Sequence, residues 1–324
     1  MSIGFSGSFS ALGACLGSKG AGGGGAAGAR GLYAFTTATF GGNAGRAYTG
    51  PSLSQARSGL TGGETDTWKN STDFFNTSSG IQYWTVPSSG IYQIEAHGGR
   101  GGFVYSGGSY GARMRGDFTL VEGEIIRMIV GQQGMQGGHP FSGSTGLGGG
   151  GGGSFVVRAP YNNNGSILVI AGGGGSGAQN PWSSRTGNNA STSQNGTAGG
   201  GNNAGSSGNG AGYVSYGGPA AGFFTDGGGS SGTSSSQYAR AFVNGGNGGS
   251  GARSWGSYDS KGGFGGGGGS GIAGGGGGGY SGGSGGDWSS NQQGGGGGSY
   301  NSGANQSNGI SGRSSHGVIT VTRL

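Results

Sequence analysis

The sequence predicts a mainly β protein, an antiparallel sandwich of the jelly-roll kind joined to an ordered bundle of polyglycine II helices. Three observations point there. Short segments rich in aromatic and β-branched residues recur with turn signals between them. Glycine fills 96 of 324 positions and comes in runs. The chain also keeps 14 Phe, 13 Tyr and 5 Trp, more than a solvating linker needs.

In chain order, residues 1–31 are a Gly/Ala/Ser segment with no pattern that buries a face, which reads as an attachment arm. Residues 32–135 carry the strongest globular signal. Strands are predicted over 33–40, 80–87, 90–96, 112–120 and 124–130, with a short helix over 52–60. Pro87-Ser88-Ser89-Gly90 and Val121-Glu122-Gly123 supply turns between them.

Residues 136–312 are dominated by glycine, with runs at 148–153, 172–175, 265–269, 274–279 and 294–298. Collagen is excluded, because it needs glycine at every third position and abundant proline, and this chain has 6 prolines. A disordered linker is disfavoured because apolar strand-like islands at 154–158, 166–171 and 238–243 interrupt the runs. Glycine segments in a three-residue helix can instead pack side by side and hydrogen-bond to one another. The span 179–210 is rich in Asn, Ser, Thr and Gly, with Trp182 as its one large anchor. Residues 313–324 end in a strand, expected to return to the sandwich and close it.

Composition narrows function. The net charge is +6 and the sequence pI about 9.5, but the 16 Lys and Arg are scattered. No aromatic-basic interleaving suggests nucleic acid. Cys15 is the single cysteine, so neither an intrachain disulfide nor a thiolate zinc site can form. No segment approaches the roughly 18 apolar residues of a membrane helix, and 1–16 lacks the pattern of a signal peptide. The combination suggests synthesis in a reducing cytosol and release by lysis, with no membrane insertion.

Several segments resemble the extracellular glycine-rich domain of the anaplastic lymphoma kinase and leukocyte tyrosine kinase receptors. They are Gly80-Ile81-Gln82-Tyr83-Trp84-Thr85-Val86-Pro87, Ile129-Val130-Gly131-Gln132-Gln133-Gly134, Leu168-Val169-Ile170-Ala171 with the glycines after it, and Lys261-Gly262-Gly263-Phe264. The order and spacing follow over about 33–324, which implies a TNF-like jelly-roll sandwich joined to packed polyglycine helices. The receptors' paired cysteines are missing, with Ala38 where one would stand, so no receptor role or ligand residue carries over. A second resemblance, at Gly31-Leu32-Tyr33-Ala34-Phe35 and Gly50-Pro51-Ser52-Leu53, is to glycine-rich virion structural proteins of marine tailed phages. It implies a tail-fibre, appendage or capsid-decoration protein whose loops contact a host.

Chemistry is sparse. His97, His139 and His316 fall outside metal-ligand spacing of one another. Glu122 and Glu124 flank a turn glycine, where solvated carboxylates are common. Phosphate-loop patterns carry no information in so much glycine. No catalytic residue, metal or cofactor is therefore expected. Exposed aromatics among small polar residues suit binding to a glycan or protein surface, and Phe103, Tyr105 and Trp182 fit that role. Trp255, Trp288 and Tyr280 fit instead as rings sealing the bundle. The expected partners are copies of the chain, with a trimer implied by TNF-like folds, other virion proteins through the arm, and a host surface. An extracellular filament and a secreted ligand-binding module are the alternatives.

Overall fold

The structure, a computed structural model, describes residues 31–41, 48–102, 109–136, 148–180, 183–230, 238–250, 260–271, 273–287 and 292–324. All belong to the unit Gly31–Leu324.

Among the described residues, fourteen strands and two short α-helices follow one another: β1 (Thr37–Gly41), α1 (Leu53–Gly59), β2 (Leu60–Thr61), α2 (Thr65–Trp68), β3 (Phe75–Ser78), β4 (Ile81–Thr85), β5 (Gly90–His97), β6 (Ala112–Leu120), β7 (Ile125–Ile129), β8 (Ser154–Val157), β9 (Ile167–Ala171), β10 (Ala178–Asn180), β11 (Ser183–Arg185), β12 (Tyr300–Asn301), β13 (Ala304–Ile310) and β14 (Val318–Arg323). Apart from the β10–β11 hairpin they form two antiparallel six-stranded sheets. Sheet one runs β13-β6-β5-β14-β1-β2 and sheet two β12-β9-β8-β7-β4-β3. The protein is thus mainly β, with a sandwich-like pair of sheets.

The alternation in β5, β6 and β14 turns one face of sheet one inward. Phe40, Ile319, Ala96 and Met114 share one cross-strand row and are buried. The opposite face carries Thr39, Thr320, Glu95 and Arg115 in register. That is the pattern of an antiparallel sheet with one wet side. Sheet two differs. Ser154–Val157 and Ile167–Ala171 are buried at every position, as their unbroken apolar runs require of a strand covered on both faces. Trp84, Ile126, Met128 and Val156 face the first apolar cluster, which sheet one also lines. Ile81, Ile129, Phe155 and Ile170 face a second cluster on the other side.

The helix expected over 52–60 is α1, started by a capping box in which Ser52 Oγ accepts from the Gln55 amide and the Gln55 side chain accepts from the Ser52 amide. The C-terminal strand returns as expected, lying between β5 and β1. Two expectations fail. The strand expected at 238–243 is a 3₁₀ turn over Phe242–Asn244, drawn round by the Asp226 carboxylate, which bonds the Ala241 amide, Arg240 and Asn244. Conversely, β13 lies within 136–312, the span read as the glycine-rich polyglycine-helix domain. Its residues are largely exposed, and pairing with β6 makes it a strand without an apolar face. The sheets thus take β8, β9, β12 and β13 from within the 136–312 span.

Candidate functional site

The glycine runs hold one another through their backbones. In the run 148–153, Gly149 and Gly152 donate to the carbonyls of Met135 and Gln132, Gly150 and Gly153 to those of Gly268 and Gly265, and Gly151 to that of Gly174. In return, Gly102 and Gly99 donate to Gly149 and Gly152, Gly275 and Gly278 to Gly148 and Gly151, and Gly263 to Gly150. All these bonds measure 2.8–3.2 Å, ordinary amide hydrogen bonds. Residues three apart face the same neighbour, and the run is surrounded by six others. The six glycines are buried with every carbonyl from 148 to 152 and every amide from 149 to 153 satisfied, as interior backbone must be. Close approach also demands glycine here. A Cβ on Gly150 would fall on the Gly276 carbonyl oxygen, and one on Gly152 on that of Phe264.

One end of this array abuts sheet two through the second apolar cluster. Phe223 stacks on Phe242 with centroids 5.1 Å apart, and Phe242 on Phe155 at 5.3 Å. Phe264 is fully buried among them. Tyr280 is 2% exposed, packs 4.9 Å from Tyr300 and donates its hydroxyl to Asn164 Oδ1 at 2.9 Å. Burial pushes its phenol pKa up. Ser154, at the start of β8, ties strand to array, since its hydroxyl donates to the His97 carbonyl at 2.6 Å and accepts from the Gly131 amide at 2.9 Å.

Chain direction decides what happens at the other end. The segments ending at 102, 136, 180, 230, 250, 271 and 287 run away from the strands and the aromatic seal. Those starting at 109, 148, 183, 238, 260, 273 and 292 run back. Their ends are neighbours: Gly102 donates to Gly149, Met135 to Lys261, Gly177 to Gly102, Gly275 to Gly148, Gly274 to Gln292, and Ser270 to Ser260. Ser230, Tyr238, Ser250 and Gly269 meet around a cleft with room for about one water molecule. These described ends lie together along one rim of the array, where the described turns at 199–201 and 214–217 also fall, with Gly200 donating to Gln293, Gly201 to Gly285 and Gly217 to Gly286. Near it, the Arg100 guanidinium lies 5.3 Å from the Tyr110 ring centroid, and Lys261 Nζ lies 3.9 Å from that of Tyr48.

Of the aromatics singled out from sequence, Phe103, Tyr105, Trp182, Trp255 and Trp288 lie outside the described residues, as does His139. Phe103 and Tyr105 fall within the connection from 102 to 109, and Trp182 within that from 180 to 183. From Asn188 to Thr197, the polar span beyond Trp182 runs along the array, with Asn188, Ser191 and Thr197 donating to Gly294, Gly297 and Gly296.

The histidines are less bland than their sequence context. His97 Nε2 lies 2.8 Å from Glu95 Oε1, and its Nδ1 lies 2.8 Å from Ser311 Oγ. Arg113 holds the other Glu95 oxygen at 2.8 Å. Burial holds the imidazole pKa below its ordinary value; Arg313 and Arg113 push the same way while Glu95 pulls it back. The neutral ring then donates from Nε2 to Glu95 and accepts from Ser311 at Nδ1. Burial raises the Glu95 carboxyl, but the Arg113 and His97 hydrogen bonds outweigh it and leave it below normal. Sequence alone hides this trio because it needs the β5–β6 register that sets His97 opposite Arg113. Among the described residues, no group of three or more His, Cys, Asp or Glu could hold a metal ion, and no helix is long and apolar enough to cross a membrane. No protein-family model matches the chain.

Proposed function

We propose that the chain is a non-enzymatic virion structural protein of a tailed phage, a tail-fibre, appendage or capsid-decoration component that meets the host surface with its array rim. One observation carries the reading: the described glycine segments end together along that rim, and the opposite end of the array is fused to a sandwich-like pair of sheets. Loops gathered on a stiff support form a binding surface without paying ordering entropy at contact. The aromatics proposed to bind, Phe103, Tyr105 and Trp182, belong to two of the stretches that join these segment ends in sequence. The 1–31 segment is then the attachment arm toward other virion proteins, and copies associate, as a trimer in the form the resemblance implies.

The finer architecture belongs to the same proposal. The three-residue recurrence of partners and the six neighbours of 148–153 support packed polyglycine II helices. The order of the strand segments resembling the receptor domain supports a TNF-like jelly roll. Polar satisfaction in the array replaces the apolar interior that 30% apolar residues cannot supply throughout.

The test is immunogold electron microscopy with antibodies against the purified chain, applied to virus particles and to uninfected host cells. Gold at fibre tips or capsid projections is the expected result. Gold confined to cell surfaces or free filaments would overturn the virion reading in favour of an extracellular filament.

A further inference from the structure

Sheet two is only partly covered on its outer face. At one end Ile81 and Ile129 lie beneath the second apolar cluster, and at the other Ile125 is 45% exposed. Between them Tyr83 of β4 sits directly opposite Arg127 of β7. The Arg127 guanidinium carbon lies 5.3 Å from the Tyr83 ring centroid and 3.8 Å from that of Tyr161. Tyr161 arrives from the turn after β8 with φ +69°, a left-handed conformation that glycine adopts freely and an aromatic residue rarely does. Its hydroxyl donates to the Ile125 carbonyl at 3.0 Å, which fixes the ring over the guanidinium. Beside the pair, Glu124 is already bound by Arg158 at 2.8 Å.

The arginines of the ion pairs are neutralised: Arg113 by Glu95, Arg158 by Glu124 and Arg240 by Asp226. Arg127 is held by rings instead. Its Nε is enclosed without a hydrogen-bond partner, and among the described residues no carboxylate pairs with its fork. A planar guanidinium fixed between aromatic faces is pre-organised for two-point recognition of an oxyanion. The left-handed turn sets the Tyr161 ring both against the second apolar cluster and over the guanidinium. The half-buried rings of Tyr83 and Tyr161 give a sugar a flat apolar surface.

We propose that Tyr83, Arg127 and Tyr161 form a subsite for an oxyanion carried on a polysaccharide, a uronic-acid carboxylate or a sulfate ester. The subsite rests on the host-contact reading and adds a second contact, on the flank of the sandwich and away from the rim.

The experiment measures retention of the full chain on immobilised polyuronate, dextran sulfate and neutral dextran at physiological salt. Retention by either anionic polymer and not by dextran is expected, and whether polyuronate or sulfate dominates identifies the oxyanion. Arg127→Lys keeps the charge and loses the fork, so affinity should fall about tenfold, one bidentate contact's worth. Tyr161→Gly removes the ring while relieving the backbone, so the same loss should come with an unchanged or higher Tm, which separates it from misfolding. Equal retention of wild type, Arg127→Lys and Tyr161→Gly would show only the general attraction of a +6 chain and overturn the subsite. Absence of wild-type binding to both anionic polymers would overturn it too. Neither result bears on the gold-labelling test, so the two claims fail separately.

Discussion

The sandwich and the glycine array bury opposite things. Between the sheets, Trp68, Trp84, Phe40, Phe75 and Tyr92 are removed from water as side chains, and apolar transfer holds them there, roughly 25 cal/mol per Å². In the array the buried material is peptide. Segments such as 148–153 have no side chains to pack, and each peptide group instead finds a partner on a neighbouring segment. A net amide hydrogen bond contributes only about 1 kcal/mol, whereas an unmade buried one costs more. An array of this kind should therefore tolerate almost no interruption, while the sandwich degrades by degrees.

The sharpest break of that contrast is a single methyl group. Gly150→Ala would place Cβ on the Gly276 carbonyl oxygen, surrounded by backbone that cannot rotate away, and should cost more than about 4 kcal/mol in urea unfolding. Gly309→Ala is the control. Nothing lies within 4 Å of its Cβ position, and stability should change by less than about 0.5 kcal/mol. If both variants unfold alike, close packing of glycine is not what holds the array.

Next in size is the sandwich core. Trp84 is fully buried and meets Phe35, Phe40 and Tyr92 with centroids 5.3–6.0 Å apart. Trp84→Ala should cost about 3–5 kcal/mol, read by the same unfolding curves. It should leave amide protection in 148–153 less affected than Gly150→Ala does. A smaller effect sits where the two regions meet. Tyr280→Phe loses the bond to Asn164 and should cost about 1 kcal/mol, measured as a fall in Tm.

Acid acts mainly on sheet one and the Asp226 turn. The folded His97 pKa lies below its ordinary 6.5, so the unfolded chain takes up that proton first, and stability should fall as pH drops below 6.5. Glu95 and Asp226 are held below their ordinary 4.5 and 3.8. Their contribution is present above those values and lost as pH falls through them. A Tm-against-pH profile should show both limbs, and His97→Gln should remove the upper one and shrink the Glu95 part of the lower.

The sandwich was legible because its signal is carried by side chains. Alternation locates β6 to the residue and β5 to within one, and the apolar islands 154–158 and 166–171 mark β8 and β9. Where the cause is a partner and not the segment itself, sequence is silent: β13 is a strand because β6 pairs with it, and 242–244 turns because Asp226 holds it. The array was legible as runs of glycine, but which segment ends share the rim depends on the direction of every run, which glycine does not encode. The Tyr83–Arg127–Tyr161 ledge was missed for a related reason. Tyr83 and Arg127 stand at outward strand positions, but Tyr161 joins them only through a left-handed turn.

The central claim is that the glycine runs form an interior as ordered as the sheets. Amide hydrogen exchange, followed by mass spectrometry on the intact chain, tests it directly. Slow exchange across 149–153, 275–278 and 294–298, comparable with that in β5 and β14, is the predicted result. Exchange of those amides at the rate of an unfolded peptide, with the sandwich still protected, would contradict it.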